Sequence, residues 1–157
     1  MAKANRKIPK HVVNPIPEKV PKWTESFIGG GEHPLAWRFS SSDPAGPFAW
    51  SALAPLEKFK EVIEKLHEFE TKSWQQIIDG GSHPIETYRL EKSARDRLSE
   101  IKQDDVDDLM SFRLSGANRV WCIQSGHIMR VLWWDPEHQV YIVPKDRGDR
   151  AKRNKRR

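Results

Sequence analysis

The chain has 157 residues, a single cysteine and a formal net charge of +5. This length suits one domain, and one cysteine cannot form an intramolecular disulfide, so a disulfide-stabilised secreted scaffold is excluded. No apolar run in the sequence reaches the roughly 18–20 residues that a membrane-spanning helix requires. The sequence therefore predicts a cytoplasmic protein without a membrane partner.

The positive charge lies at the two ends of the chain. Residues 1–22 have a net charge of +5 and residues 145–157 a net charge of +6, which leaves −6 for residues 23–144. The first segment contains four prolines and few large apolar groups, and the last is a block of like charges. Such segments cannot bury enough apolar surface to fold. We expect a single domain at 23–144 between a flexible basic arm and a disordered basic tail.

The first half of the domain is predicted to contain a strand followed by helices. Residues 35–39 alternate apolar and polar side chains, as a half-buried strand does. A helix is predicted from apolar residues at spacings of three and four, namely Leu56, Phe59, Ile63, Leu66 and Phe69. Residues 73–76 have the form of a capping box and predict a second, short helix. After an extended piece at 85–90, a similar motif at 93–96 predicts a third helix.

The last third of the domain changes character. Segments rich in aromatic and β-branched residues predict three strands, Leu109–Leu114, Arg119–Ile123 and His127–Trp134. The connections at 115–118 and 124–126 suit hairpins, and residues 138–143 predict a fourth strand. The predicted fold class is therefore α+β: a strand, helices on one face of the sheet, and then a C-terminal antiparallel β-meander.

Two stretches of the predicted meander resemble the RelE/ParE superfamily of toxin–antitoxin ribonucleases and gyrase inhibitors. They are Phe112–Trp121, which holds an arginine-containing hairpin, and Ile128–Trp134. The motif Trp-Asp-Pro-Glu-His at 134–138 also resembles a group of mostly uncharacterised small bacterial proteins, over about residues 35–143. The superfamily resemblance implies a RelE-like fold. Its ribonuclease members cleave messenger RNA on the ribosome without metal, and such toxins have cognate antitoxin proteins.

The resemblance also implies roles for individual residues. Cleavage of this kind needs a base for the 2′-hydroxyl, a cation for the phosphorane and an acid for the leaving 5′-oxygen. By position, Arg113 and Arg119 match the arginines that bind phosphate and stabilise the transition state. His138 and Tyr141 stand where these enzymes often place an acid or base. No metal site and no cofactor are expected.

The residues themselves leave alternatives open. Arg113 and Arg119 either converge on one face to clamp a phosphate or pair with the acidic cluster at 104–108, and Arg130 joins one of these arrangements. His138 either has its pKa tuned by Asp135 or only helps to cap a turn.

Two kinds of partner are compatible with the charges. Arg130 and the tail residues Lys145, Arg147 and Arg150 are candidate contacts to RNA. The helical segment 86–108 holds eight acidic residues, which suits a basic protein instead. The second hypothesis is therefore a non-catalytic binding protein that engages a protein or nucleic acid through its sheet, its tryptophans and its basic ends.

Several further residues have a structural and a functional interpretation. The pieces Gly30–Pro34 and Gly80–Pro84 share a Gly-Gly-x-His-Pro pattern that is either a pair of turns or a convergent pair of metal or catalytic ligands. Cys122 is predicted to be buried and inert. Trp133 and Trp134 are adjacent, so they must face opposite sides of a strand. At least one of them is expected to contact a second layer or a protein partner.

Overall fold

The computed structural model describes residues 33–143, which form a mixed five-stranded sheet and three α-helices. In chain order the elements are β1 (Ala36–Arg38), α1 (Leu56–Glu70), α2 (Trp74–Asp79), β2 (His83–Glu86), α3 (Lys92–Glu100), β3 (Asp108–Arg113), β4 (Arg119–Ser125) and β5 (Ile128–Asp135). Short 3-10 helices lie at Trp50–Ala52 and Thr87–Arg89. The predicted α+β class is confirmed. The predictions for the arm at 1–22 and the tail at 145–157 fall outside the described residues.

The strand order across the sheet is β1-β5-β4-β3-β2. Antiparallel pairing joins β2 to β3, β3 to β4 and β4 to β5, whereas β1 pairs in parallel with β5. The sheet is mixed because the last strand, β5, lies beside the first strand, β1, and parallel to it. A parallel pair needs a long crossover, and a local hydrophobic pattern does not reveal which strands it joins.

The predicted fourth strand of the C-terminal part was wrong. Residues 138–143 form an irregular loop after the turn at 136–137 that ends β5. The buried carboxylate of Asp135 accepts hydrogen bonds from the backbone N–H groups of Gln139 and Val140 at 2.8 and 3.0 Å. These donors are taken by a side chain, so this turn is stabilised without a partner strand.

Helix α1 confirms the predicted helix but not its predicted buried face. Leu66 and Phe69 are buried together with Val62, whereas Leu56, Phe59 and Ile63 are exposed. Positions 62, 66 and 69 are also spaced by four and three residues, so the sequence contains two helical apolar stripes that overlap. Packing against the sheet selects the one through Val62.

Capping motifs were predicted at the starts of the other two helices, and only the first of the two is present. The capping box of α2 is present, because the Ser73 hydroxyl accepts from the Gln76 N–H and the Gln76 side chain accepts from the Ser73 N–H. Helix α3 begins two residues earlier than predicted, with Glu91 instead of Ser93 at the N-cap, so Ser93 lies inside the helix. No helix within residues 33–143 is both long enough and apolar enough to span a bilayer.

Helices cover both faces of the sheet. Residues of α1 and α2 pack on the first face around Phe112 and Trp134. Residues of α3 pack on the second face around Trp121 and Trp133, together with Phe48 and Tyr141. The prediction that the helices lie on one face was wrong. Trp133 and Trp134 face opposite sides of the sheet, as predicted. The second layer that one of them was expected to contact belongs to the same chain.

A β-bulge interrupts the pairing of β4 with β5. Trp121 pairs with Trp133, but the next residue, Cys122, pairs with Val131, so Leu132 is the extra residue. Leu132 and Trp133 consequently both lie on the second face. The bulge changes which residues of β5 share a face, and it puts Arg130 on the same face as Asp135.

Cys122 is fully buried, and burial raises the pKa of its thiol well above the usual value, in agreement with the prediction of an inert cysteine.

Candidate functional site

Basic side chains gather at one end of the second face of the sheet. Arg113, the last residue of β3, is the direct cross-strand partner of Arg119, the first residue of β4. Arg119 is in turn opposite Asp135, the last residue of β5. Directly paired residues of neighbouring strands project to the same face. We call the group formed by His83, Arg113, Arg119 and His138 the basic cluster.

The β3–β4 hairpin sets the register of the two arginines. Its turn is closed by hydrogen bonds from Leu114 N to Asn118 O (3.1 Å) and from Asn118 N to Ser115 O (2.9 Å), and Gly116 adopts a left-handed φ of 53°. The Arg119 guanidinium donates through Nη1 to the carbonyls of Gly116 (2.8 Å) and Asn118 (3.0 Å). The hairpin therefore both aligns Arg119 with Arg113 and restrains its side chain.

Asp135 shapes the turn that carries His138. Its side chain is 1% exposed and also accepts a hydrogen bond from the indole N–H of Trp121 at 3.2 Å. His138 lies within the turn that this carboxylate closes, at a left-handed φ of 58°. A non-glycine residue in this conformation is uncommon and is held there by its surroundings. The interpretation that Asp135 caps a turn is thus realised, and the same turn brings His138 to the basic cluster.

The electrostatics of the cluster keep His138 neutral. Partial burial lowers the pKa of this imidazole below its usual 6.5, and the positive charges of Arg119, His83 and Arg113 lower it further, while Asp135 opposes the shift. Burial and the charge of Arg113 likewise lower the pKa of Arg119. At neutral pH His138 therefore holds an unprotonated nitrogen that can accept a proton, beside two cations.

His83 joins the cluster through the segment before β2. Ser82 is buried, and its hydroxyl accepts a hydrogen bond from the backbone N–H of Arg113 at 2.9 Å. Gly81 has a φ of 91°, and a Cβ there would lie 3.2 Å from the Arg113 side chain. His83 Nδ1 lies 3.2 Å from the carbonyl oxygen of Gly81. Because a carbonyl can only accept, Nδ1 is the donor and carries a proton.

The structure separates the two Gly-Gly-x-His-Pro pieces. His83 is on edge strand β2, whereas His33 precedes the opposite edge strand β1, and its ring lies 5.0 Å from that of His127. Four strand spacings of about 4.8 Å keep the two pieces apart, so they are not a convergent pair. Within residues 33–143 no group of three or more His, Cys, Asp or Glu residues could hold a metal ion. The role of His83 beside Arg113 was not predicted, because it depends on the β2–β3 register.

The remaining predicted site residues lie elsewhere. Arg130 is on the same face but near the start of β5, where it donates to the Gln103 side chain at 3.2 Å. The Tyr141 hydroxyl accepts from Arg89 at 2.7 Å, and the Arg89 guanidinium also lies over its ring. Lys145, Arg147 and Arg150 fall outside the described residues.

The arginines of the cluster do not pair with the acidic segment. Arg113 ends β3 and is paired with Arg119, whereas the carboxylates at 104–108 lie before or at the start of β3, so the length of the strand separates them and the alternative of pairing is not realised. Among the described residues these two guanidinium groups share one face and form no ion pair with a carboxylate, so they are suited to an anion such as a phosphodiester. A neutral imidazole beside them adds a proton acceptor.

Comparisons with known proteins returned no match: no family model, no curated protein and no solved structure is similar to this chain. The interpretation of the site therefore depends on its own geometry and charge.

Proposed function

We propose that this chain is a metal-independent endoribonuclease with a RelE-like fold, the toxin-like component of a toxin–antitoxin or defence module. The observation that carries the proposal is the direct cross-strand pairing of Arg113 with Arg119. Like charges directly opposite each other destabilise a sheet, so such a pair is a cost to the fold that an anionic ligand relieves. The phosphodiester of RNA is an anion of the right kind.

The side chains of the basic cluster divide the chemistry between them. Arg113 and Arg119 bind the scissile phosphate and stabilise the negative charge of the phosphorane. His138, neutral because of burial and its cationic neighbours, accepts the proton of the attacking 2′-hydroxyl. Tyr141 takes no part in this scheme, since its hydroxyl is engaged by Arg89.

Partners follow from the distribution of charge. Lys145, Arg147 and Arg150 of the basic tail contribute sequence-independent affinity for RNA. The acidic segment 86–108 faces a basic partner, either a cognate antitoxin or a basic ribosomal protein.

The proposal is tested with the purified full chain and a fluorescent single-stranded RNA in the presence of EDTA. We expect cleavage by the wild-type chain and a loss of at least about 100-fold in rate for Arg119→Ala, as for removal of one transition-state hydrogen-bond donor. The matched control is Arg38→Ala, which removes an exposed arginine from the opposite edge of the sheet and should leave the rate unchanged. Absence of cleavage, or equal rates for wild type and Arg119→Ala, contradicts the proposal.

A second candidate function is RNA binding without cleavage through the same cluster. It is favoured by the restraint of Arg119, whose two hydrogen bonds to its own hairpin suit it to static anion binding. The same reagents distinguish the two functions. Binding alone predicts intact RNA, a rise in fluorescence anisotropy on adding the protein, and weaker binding by Arg119→Ala. Trp121, Trp133 and Trp134 do not contribute to such binding, because all three side chains are buried.

A further inference from the structure

The two histidines of the basic cluster lie on opposite sides of the two arginines. In the strand order, β4 with Arg119 and β3 with Arg113 stand between β5 and β2. His138 follows β5 and His83 begins β2. His83 is paired with Ser111, two residues before Arg113 on the same face of β3. A phosphate bound by the central arginines would therefore have one imidazole on each side.

This order matches the geometry of phosphodiester cleavage by the 2′-hydroxyl. The attacking and leaving oxygens occupy opposite apical positions of the phosphorane, and the charged oxygens lie between them. The base and the acid therefore have to stand on opposite sides of the cations. His83 can act as an acid in its imidazolium form, because the Gly81 carbonyl takes the Nδ1–H and the second proton, on Nε2, is left for the exposed side of the ring.

We propose that His83 is the catalytic acid of this site, which protonates the leaving 5′-oxygen; this inference rests on the proposed ribonuclease function. His138 takes the proton of the 2′-hydroxyl, the 2′-oxygen forms a bond to phosphorus, and the bond from phosphorus to the 5′-oxygen breaks. The departing 5′-oxygen keeps the electron pair and receives the Nε2 proton of the His83 imidazolium, which becomes the neutral ring with its proton on Nδ1. The products are a 2′,3′-cyclic phosphate and a 5′-hydroxyl, and both histidines return to their starting states by exchange with water.

The test compares two RNA substrates that differ at one atom. One has a normal linkage, and in the other sulfur replaces the bridging 5′-oxygen, so that the leaving thiolate needs no proton. Because His83 acts only on the leaving group, His83→Gln should slow cleavage of the normal substrate by about 100-fold or more. Cleavage of the sulfur-bridged substrate should slow by less than about 10-fold under the same general-acid argument.

The matched control is His33→Gln, which changes the histidine of the other Gly-Gly-x-His-Pro piece at the opposite edge of the sheet. It should slow neither substrate. Equal slowing of both substrates by His83→Gln, or no slowing of either, overturns the assignment of His83 while leaving the ribonuclease function in place. Failure of the wild-type chain to cleave either substrate overturns the proposed function, and the role of His83 with it.

Discussion

Asp43 and Asp135 are buried carboxylates in two regions of the molecule. The two regions have similar hydrogen bonding but differ in whether positive and negative charges are paired. Each carboxylate is at most 2% exposed, each accepts an indole N–H from the second face of the sheet, and each also accepts from the backbone of a neighbouring turn, Asp43 from one N–H and Asp135 from two. They differ in their cationic neighbours. Asp43 binds the Arg97 guanidinium through both oxygens, at 2.7 and 2.8 Å. Within the described part of the chain, Asp135 forms no ion pair.

The comparison shows how a structural charge cluster differs from one that is available to a ligand. At Asp43 the opposite charges are matched in bidentate geometry, and the contact fixes the 43–47 loop to α3. At Asp135 the carboxylate accepts hydrogen bonds from N–H groups. Arg113 and Arg119 leave an excess of positive charge around it, and protonation of His138 would add to this excess. A region whose charges are not matched inside the chain is the one that gains most from an external anion.

Substitution of Asp43 should have the largest effect on stability. Asp43→Ala removes the partner of a half-buried arginine and leaves the Trp133 indole N–H without an acceptor. We expect the free energy of unfolding, measured by urea titration, to fall by about 3 kcal/mol. The matched control is Glu100→Ala, which removes the exposed partner of the same Arg97 and should cost under about 1 kcal/mol. Similar losses for both variants would show that the Asp43 pair is not the anchor of this region.

Removal of Arg113 should raise the free energy of unfolding, whereas removal of Asp43 lowers it. Arg113→Gln ends the cross-strand repulsion with Arg119, and we expect unfolding to require roughly 0.5 kcal/mol more free energy. The same variant should lose RNA cleavage, so stability and activity change in opposite directions. Arg95→Gln, on the exposed side of α3, is the control that should alter neither. A destabilised Arg113→Gln would contradict the view of the basic cluster as a region of unmatched charge.

The smallest expected effect is a difference in the pH range over which each of the two regions loses its contribution to stability. The pKa of His138 is lowered in the folded chain, so the unfolded chain takes up the proton first and stability falls as the pH drops below 6.5. Burial alone would raise the pKa of Asp43, but hydrogen bonds from Arg97, Ala45 and Trp133 outweigh it and the pKa lies below 3.8. Its contribution is therefore present above that pH and is lost as the pH falls further.

Thermal unfolding across pH measures this difference. Between about pH 7 and pH 5 the unfolding temperature of the wild-type chain should decline, and His138→Gln should decline less over the same range, because it lacks the titrating imidazole. Asp43→Asn should unfold at a lower temperature than the wild type above pH 3.8, where the wild-type carboxylate is charged, and the difference should shrink as the pH falls further. Identical curves for wild type and His138→Gln would mean that folding does not perturb this histidine.

Local patterns in the sequence predicted much of the secondary structure. The helix at 56–69, the capping box at Ser73 and the three segments that became β3, β4 and β5 follow from periodicity, side-chain hydrogen bonding and β-propensity. The two arginines were predicted to share a hairpin, because that follows from the length of their connection, and convergence on one face was one of two alternatives. These features depend on residues close together in the chain, so one sequence contains their determinants.

The sequence by itself determined an acidic domain between basic ends, the α+β class and the arginine pair of one hairpin. Only the tertiary structure decided that β1 lies parallel to β5, that both sheet faces are covered, and that His83 and His138 flank the arginines. The reason is physical: strand pairing between distant segments and the β4–β5 bulge are selected by packing of the whole chain. A histidine acquires a chemical role only when that packing gives it charged neighbours.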